Sequence, residues 1–233
     1  MAKASSKRTF TQIISRLLLL FVIFTVTPVI IFRFIAPPVT PLMFLRSLEY
    51  KTDGKDAAIN YQWVPVEEMS PNLFRAALAA EDDLFLEHNG FNFNAIKLAY
   101  NNNQKNTKRV KGGSTISQQT AKNVFLWPHR DYIRKGFEAY FTTLIEFIWG
   151  KKRIMEVYMN VVELGEGVYG VEAASQKYFN KPAKKLSKYE AASLLSVFPN
   201  PRLYSVTNPS PYTQRYRAAI LRRMSYIRQV KFD

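Results

Sequence analysis

Near the start of this chain of 233 residues, residues 17–32 read LLLLFVIFTVTPVIIF, without a single charge. With residues 10–15 ahead of Arg16 and residues 34–36 behind Arg33, the apolar run reaches the roughly 20 residues that a bilayer-spanning helix needs. Arg16 and Arg33 stand where their side chains can snorkel to the two interfaces. Lys3, Lys7, Arg8 and Arg16 lie on the N-terminal side, which predicts a cytoplasmic N-terminus and an extracytoplasmic body. A cleaved signal peptide is the alternative. Its apolar core is usually about 7–15 residues long and closes on a small-x-small site, whereas here Ala36 runs into Pro37-Pro38. A single-pass, uncleaved anchor is the expectation.

The anchor limits what the rest can do. About 180–200 residues remain, enough to bury the core of one domain. There is no cysteine, so no disulfide staple, thiolate nucleophile or Cys-ligated metal. Two histidines, His88 and His129, exclude a multi-histidine metal site. Lys and Arg outnumber Asp and Glu 33 to 18, a formal charge of +15, which points to an anionic partner. The sequence has no zinc-finger spacing, RNP motif or basic-zipper pattern, so no nucleic-acid partner is expected. Anionic lipid head groups or a phosphorylated substrate remain.

Helix signals follow one another along the body. Ser70-Pro71 predicts an N-cap with proline in the first turn. Residues 93–103 read as helix and break in the polar run NNNQKNTKRVKGG. Thr115 and Gln118 have capping-box spacing, as do Ser187 and Glu190, and Asp131 caps a long apolar helix. Residues 151–162, 169–179, 187–198 and 211–229 complete the set. Residues 57–64 suggest a short strand or hairpin. Residues 36–46, APPVTPLMFLR, read as a stiff, proline-punctuated exit from the membrane. The domain is expected to be mainly α.

Three stretches carry chemistry. In AAEDDLFLEHNGFNFNAI, residues 79–96, the acids Glu81, Asp82 and Asp83 interrupt an apolar helix, and His88 and Gly90 follow among Phe85, Phe91 and Phe93. In KGGSTISQQTAKN, two glycines let backbone approach a ligand, the next helix offers free N–H groups, and Gln118, Gln119 and Lys122 stand within one turn. It is not a P-loop, because the G-x-x-x-x-G-K order is missing. On the helix that follows Asp131, Arg134, Glu138, Thr142 and Glu146 are four apart and share one side. A solvated edge is the plain reading of such a stripe.

The blocks AAEDDLFLEHNGFN, KGGSTISQQTAKNVFL, RKGFEAYFTTLIE and KKRIMEVYMNVVELGEGVYGVEAASQKYF, in this order, resemble the peptidoglycan glycosyltransferases. The resemblance runs from about Tyr61 to Tyr204. It implies a lysozyme-like, mainly α glycosyltransferase domain behind one N-terminal transmembrane helix. The expected division is 1–12 cytoplasmic tail, 13–36 anchor, 37–56 juxtamembrane linker and 57–233 extracytoplasmic domain. Neither S-x-x-K nor K-T-G of the penicillin-binding partner domain occurs, so the monofunctional form is expected.

The implied reaction joins lipid-linked disaccharide units into β-1,4 glycan in the bacterial plasma membrane, with inversion at C1 and loss of a lipid diphosphate. Inversion needs one displacement, one carboxylate base and positive charge for the leaving group, not the two carboxyls about 5 Å apart of a retaining glycosidase. By the resemblance Glu81 is the base and Glu138 the second essential acid, either a ligand of Mg²⁺ or Mn²⁺ or a brace for Lys122 and Arg130. Ser114, Gln118, Gln119, Lys122, Arg130 and Arg134 are assigned to the substrate, and Asp82, Phe85, His88 and Gly90 to shaping the loop. Glu146 and Glu163 are weaker candidates, while Lys151 and Glu156 read as structural. Exposed apolar residues near 41–45 and 91–93 are expected to dip into the interface. Other wall-synthesis or division proteins are conceivable partners. Two rivals are a wall-cleaving lytic enzyme, which has no use for cations around a diphosphate, and a catalytically idle scaffold.

Overall fold

A computed structural model describes residues 2–56, 58–105, 113–129, 131–228, 230 and 232. The chain divides into two compact units, Met1–Ala36 and Pro37–Asp233. The first is one helix, α1 (Ala2–Phe34). Its stretch Phe10–Phe34 is long and apolar enough to cross a membrane, and it leaves leucines, isoleucines and phenylalanines exposed along its length.

The second unit is mainly helical. It begins with α2 (Pro41–Thr52), where the sequence suggested only a stiff connector. Thr40 caps this helix by accepting from Met43 N, and Pro41 occupies the first turn, as Ser70 and Pro71 do for α3 (Pro71–Glu81). Leu42, Met43 and Tyr50 of α2 are buried, so the segment belongs to the folded body. Then come α4 (Phe93–Lys105), α5 (Ile116–Phe125), α6 (Tyr132–Ile148) and α7 (Gly150–Val161). The unit closes with α8 (Val171–Phe179), α9 (Lys188–Leu195) and α10 (Pro211–Met224), which stops short of the expected residue 229.

Both predicted capping boxes form, at Thr115 with Gln118 and at Ser187 with Glu190, and Asp131 caps α6. Among the described residues of 57–64 there is a strand, β1 (Asn60–Tyr61), and no hairpin. It pairs in parallel with β3 (Val168–Tyr169), which runs antiparallel to β2 (Glu163–Gly165). The pairing joins segments about a hundred residues apart, a relation no local pattern announces.

α5 is the hub: it packs against α6, α7 and α2, while α3 packs against α9 and α10. Ile116, Thr120 and Ala121 of α5 and Ile154, Met155, Val157, Tyr158 and Met159 of α7 are fully buried or nearly so. A helix enclosed on several sides holds its side chains in fixed rotamers, which is what a site built on α5 requires.

Candidate active site

Glu81 ends α3, and the chain turns away at Asp82. Gln119, in the middle of α5, donates from Nε2 to Glu81 Oε2 at 2.7 Å. Burial pushes the Glu81 carboxyl above the ordinary glutamate value; the Gln119 hydrogen bond and the charge of Lys122 pull it down, and Asp82 adds to the rise. The net shift is upward, toward the basicity a general base needs at neutral pH.

The loop after Glu81 is held by its neighbours, not by itself. Asp82 Oδ2 accepts from Ile116 N at 3.0 Å, and both Asp82 oxygens lie 3.0 Å from His88 Nε2. Gly90 N donates to His88 Nδ1 at 3.1 Å, which leaves the Nε2–H for Asp82. Thr115 Oγ1 donates to Gly90 O at 2.7 Å, tying the loop to the cap of α5. Gly90 has φ +88°, and a Cβ there would stand 2.7 Å from Thr142 Cγ2, so both conformation and space require glycine. Phe85 is fully buried, with Lys151 Nζ 4.6 Å from its ring centre. Lys151 Nζ also donates to His88 O and to Glu146 Oε1, and Ser117 Oγ donates to the same Glu146 oxygen. Asp83 points to solvent.

Two arrangements differ from the sequence reading. The N-terminus of α5 is filled by Asp82 on Ile116 N and by the capping box, in which Gln118 Oε1 accepts from Thr115 N. Gln118 is therefore buried in its own cap, and Ser114 lies exposed just ahead of it. The α6 stripe is not a solvated edge either: Arg134, Glu138 and Thr142 are buried. Arg134 Nη1 donates to Glu138 Oε2 at 3.3 Å, and Lys135 Nζ, whose side chain is half exposed, donates to Glu138 Oε1. With each oxygen already met by a cation, Glu138 does not suit a divalent metal. Among the described residues no three His, Asp or Glu side chains gather as metal ligands do. Arg130 lies outside the described residues.

Two clefts flank the Glu81–Gln119 pair. The larger, about 800 Å³, is lined by Glu81, Asp82 and Leu86 on one side and by Arg223, Tyr226 and Ile227 on the other. The smaller, about 420 Å³, is lined by Gln119, Lys122 and Asn123 of α5, Arg46 of α2, Glu163 and Arg202. Sequence reasoning missed Arg46 and Arg202, which lie outside every motif and reach the cleft only through packing. Their charges converge on Glu49, at 2.5 Å and 3.8 Å. Tyr50 OH donates to Glu163 Oε1 at 2.5 Å, and burial raises the Glu163 carboxyl. Glu138 lines neither cleft.

One free carboxylate clamped by an amide, with cations gathered on the far side of the clamp, is equipment for transferring a glycosyl group from a charged leaving group. The family model described as transglycosylase matches residues 50–225, and the chain belongs to that family. It is similar to the biosynthetic peptidoglycan transglycosylase of Bdellovibrio bacteriovorus, 51% identical over 218 residues, 94% of this chain and 87% of that protein. The proteins of the same name from Caulobacter vibrioides and Aeromonas hydrophila are 49% and 46% identical, covering 90% and 94% of this chain and 88% and 92% of their own lengths.

Proposed function

We propose that this chain polymerises a lipid-linked disaccharide-pentapeptide into β-1,4 glycan strands of peptidoglycan. Glu81 takes the proton from the 4-hydroxyl of the incoming sugar. That oxygen attacks C1 of the other sugar from the face opposite its diphosphate, the C1–O bond to phosphorus breaks, and the lipid diphosphate leaves with the electron pair. One displacement inverts the anomeric centre. The observation that carries this reading is the clamp on Glu81: an amide donor keeps the carboxylate aimed, while burial makes it basic.

Asp82 supports the same choice. Its oxygens are committed to Ile116 N and His88, so the acid next to Glu81 is not poised as the nucleophile of a retaining hydrolase. Lys122, with Arg46 and Arg202 across the small cleft, is positioned to receive the diphosphate. Glu138 acts as the counter-ion that fixes Arg134 and presents Lys135. A requirement for Mg²⁺ or Mn²⁺ then belongs to the substrate diphosphate and not to a protein seat at Glu138.

The apolar stretch of α1 serves as a single-pass anchor in a bacterial plasma membrane, with the lysines and arginines before it on the cytoplasmic side and the catalytic unit outside. Phe44 and Leu48 of α2 and Phe93 and Leu98 of α4 are exposed apolar side chains suited to interfacial contact. The deciding experiment incubates the purified full-length protein with labelled lipid-linked disaccharide, with and without divalent cation, and separates the products on a gel. Growth of polymer is expected. Shortening of added glycan, with no growth, would overturn the reading in favour of a lytic enzyme.

A further inference from the structure

Behind the clamp stands a residue that no motif argument singled out. Tyr158 lies on α7, inside an apolar helix, and is fully buried. Its hydroxyl donates to Gln119 Oε1 at 3.4 Å, a long hydrogen bond but the acceptor the hydroxyl has among the described residues. The other end of the same amide donates to Glu81 at 2.7 Å. A glutamine amide can sit either way round, and which end faces a carboxylate follows from what holds the opposite end. A phenol offering its proton to Oε1 fixes the NH₂ toward Glu81. We infer that Tyr158 is a positioning residue for the transfer reaction, acting through Gln119 to keep the amide donating to the Glu81 carboxylate. The inference rests on the reading of Glu81 as base.

The chemistry gives Tyr158 one state in which to do this. Burial, with Glu81, Tyr216 and Asp82 adding to it, lifts the phenol well above its ordinary value, so it remains a neutral donor at any working pH. Its ring is held edge-on to Phe198, centroids 6.0 Å apart, so the hydroxyl has little freedom to seek another partner. Without that hydroxyl the Gln119 carbonyl loses its donor, and the amide is free to swing from Glu81 or turn its oxygen toward it. Either movement removes the hydrogen bond that favours the ionised carboxylate. Other titratable groups lie around Glu81: Lys122 from α5, Tyr216 and Arg223 from α10, Asp82 from its own loop, and Asp83, Glu87 and Arg228 along the same cleft. A change at position 158 removes only the phenol hydroxyl and leaves these side chains themselves in place.

The test is the pH dependence of kcat/KM for polymerisation of lipid-linked disaccharide by the full-length protein. A base works in its ionised form, so activity falls as pH drops through its pKa. Tyr158→Phe is expected to move that acid limb upward by on the order of one pH unit, the effect of a hydrogen bond to a charged group. KM should stay as it is. Gln119→Ala should give the same displacement, and Tyr158→Phe added to Gln119→Ala should move it no further. An unshifted limb in a Tyr158→Phe protein of native melting temperature overturns the inference. So does a Tyr158→Phe effect that persists undiminished without the Gln119 amide. If Tyr158→Phe fails to fold, fluorotyrosine at position 158 keeps the shape and strengthens the donor. The limb should then move downward, and no movement overturns the proposal. Substantial activity in Glu81→Gln would instead sink the underlying assignment of the base, so the two failures are separable.

Discussion

At the end of α3, Glu81 is gripped by the neutral amide of Gln119; on the inner side of α6, Glu138 is gripped by Arg134 and Lys135. Glu138 is buried and Glu81 partly so, and both belong to motifs that the sequence displays. Their partners differ in charge, and the work proposed for each follows from that difference. A carboxylate held by an amide keeps its negative charge uncancelled, and burial then raises its proton affinity. A carboxylate enclosed by two cations spends its charge in holding them. The comparison teaches that in this fold an acid's chemistry follows from who donates to it more than from how deeply it is buried.

The largest expected effect lies on the Glu81 side. Glu81→Gln should abolish polymerisation while leaving the fold intact, as judged by product gels and thermal melting. The sign of the stability change sharpens the comparison. Because burial raises the Glu81 pKa, the folded state binds that proton more tightly than the unfolded chain, and stability falls as pH rises from the ordinary carboxylate value through the folded one. Glutamine avoids this cost, so the variant should melt higher at neutral pH. The gain should vanish below about pH 4. A variant that melts lower at neutral pH would contradict the electrostatic account of the site.

Glu138→Gln should do the reverse. Removing the acid leaves buried Arg134 without its counter-ion, and breaking such a buried pair costs about 3 kcal/mol. Turnover should drop as well, because Lys135 loses the partner that holds it. Chemical denaturation and initial rates, measured on the same preparation, check both outcomes. If Glu138→Gln melts like the parent protein, the contrast between the two acids fails.

A third effect concerns the loop between the two acids. Gly90→Ala would force an L side chain into φ +88° and against Thr142, at a cost of about 2–3 kcal/mol. Since Gly90 O accepts from Thr115 and Gly90 N donates to His88, the displacement should reach Asp82 and lower kcat as well. Denaturation midpoints read the first effect and steady-state rates the second.

Much of this was legible in the sequence where the signal is local. The caps at Ser70, Thr115, Asp131 and Ser187 depend on residues no more than three apart, and each formed as read. Thr40-Pro41 carries the same signal as Ser70-Pro71, but the surrounding prolines read as a connector, and α2 was missed. The burial of Arg134 and Glu138 could not be read from spacing, because four-residue periodicity marks a face without saying what covers it. Nothing local in the sequence set Tyr158 apart from its neighbours on α7. Arg46 and Arg202 had no signal at all: they are 156 positions apart in a chain whose motifs lie between them, and only tertiary packing brings them to one cleft.

The smallest expected effect is at that cleft, where charge is arranged for a visitor more than for stability. Arg202 lies with its guanidinium 5.2 Å from the centre of the Tyr50 ring and 3.8 Å from Glu49, with a side chain about one-third exposed. A pair so long and so wet contributes little to folding, so Arg202→Ala should change stability by less than about 0.5 kcal/mol. Its effect should appear in binding. Losing one charge-assisted contact to a diphosphate costs on the order of 1 kcal/mol, which predicts a KM for the lipid-linked substrate raised about threefold to tenfold with kcat nearly unchanged. Screening adds a second signature. The gap between variant and parent should narrow as salt rises, because the lost contact is with an ion at a partly open cleft. An unchanged KM would move the diphosphate away from the Arg46–Lys122–Arg202 cleft. The cations would then have to come from Arg134 and Lys135, and Glu138 would become the acid that presents the leaving-group side.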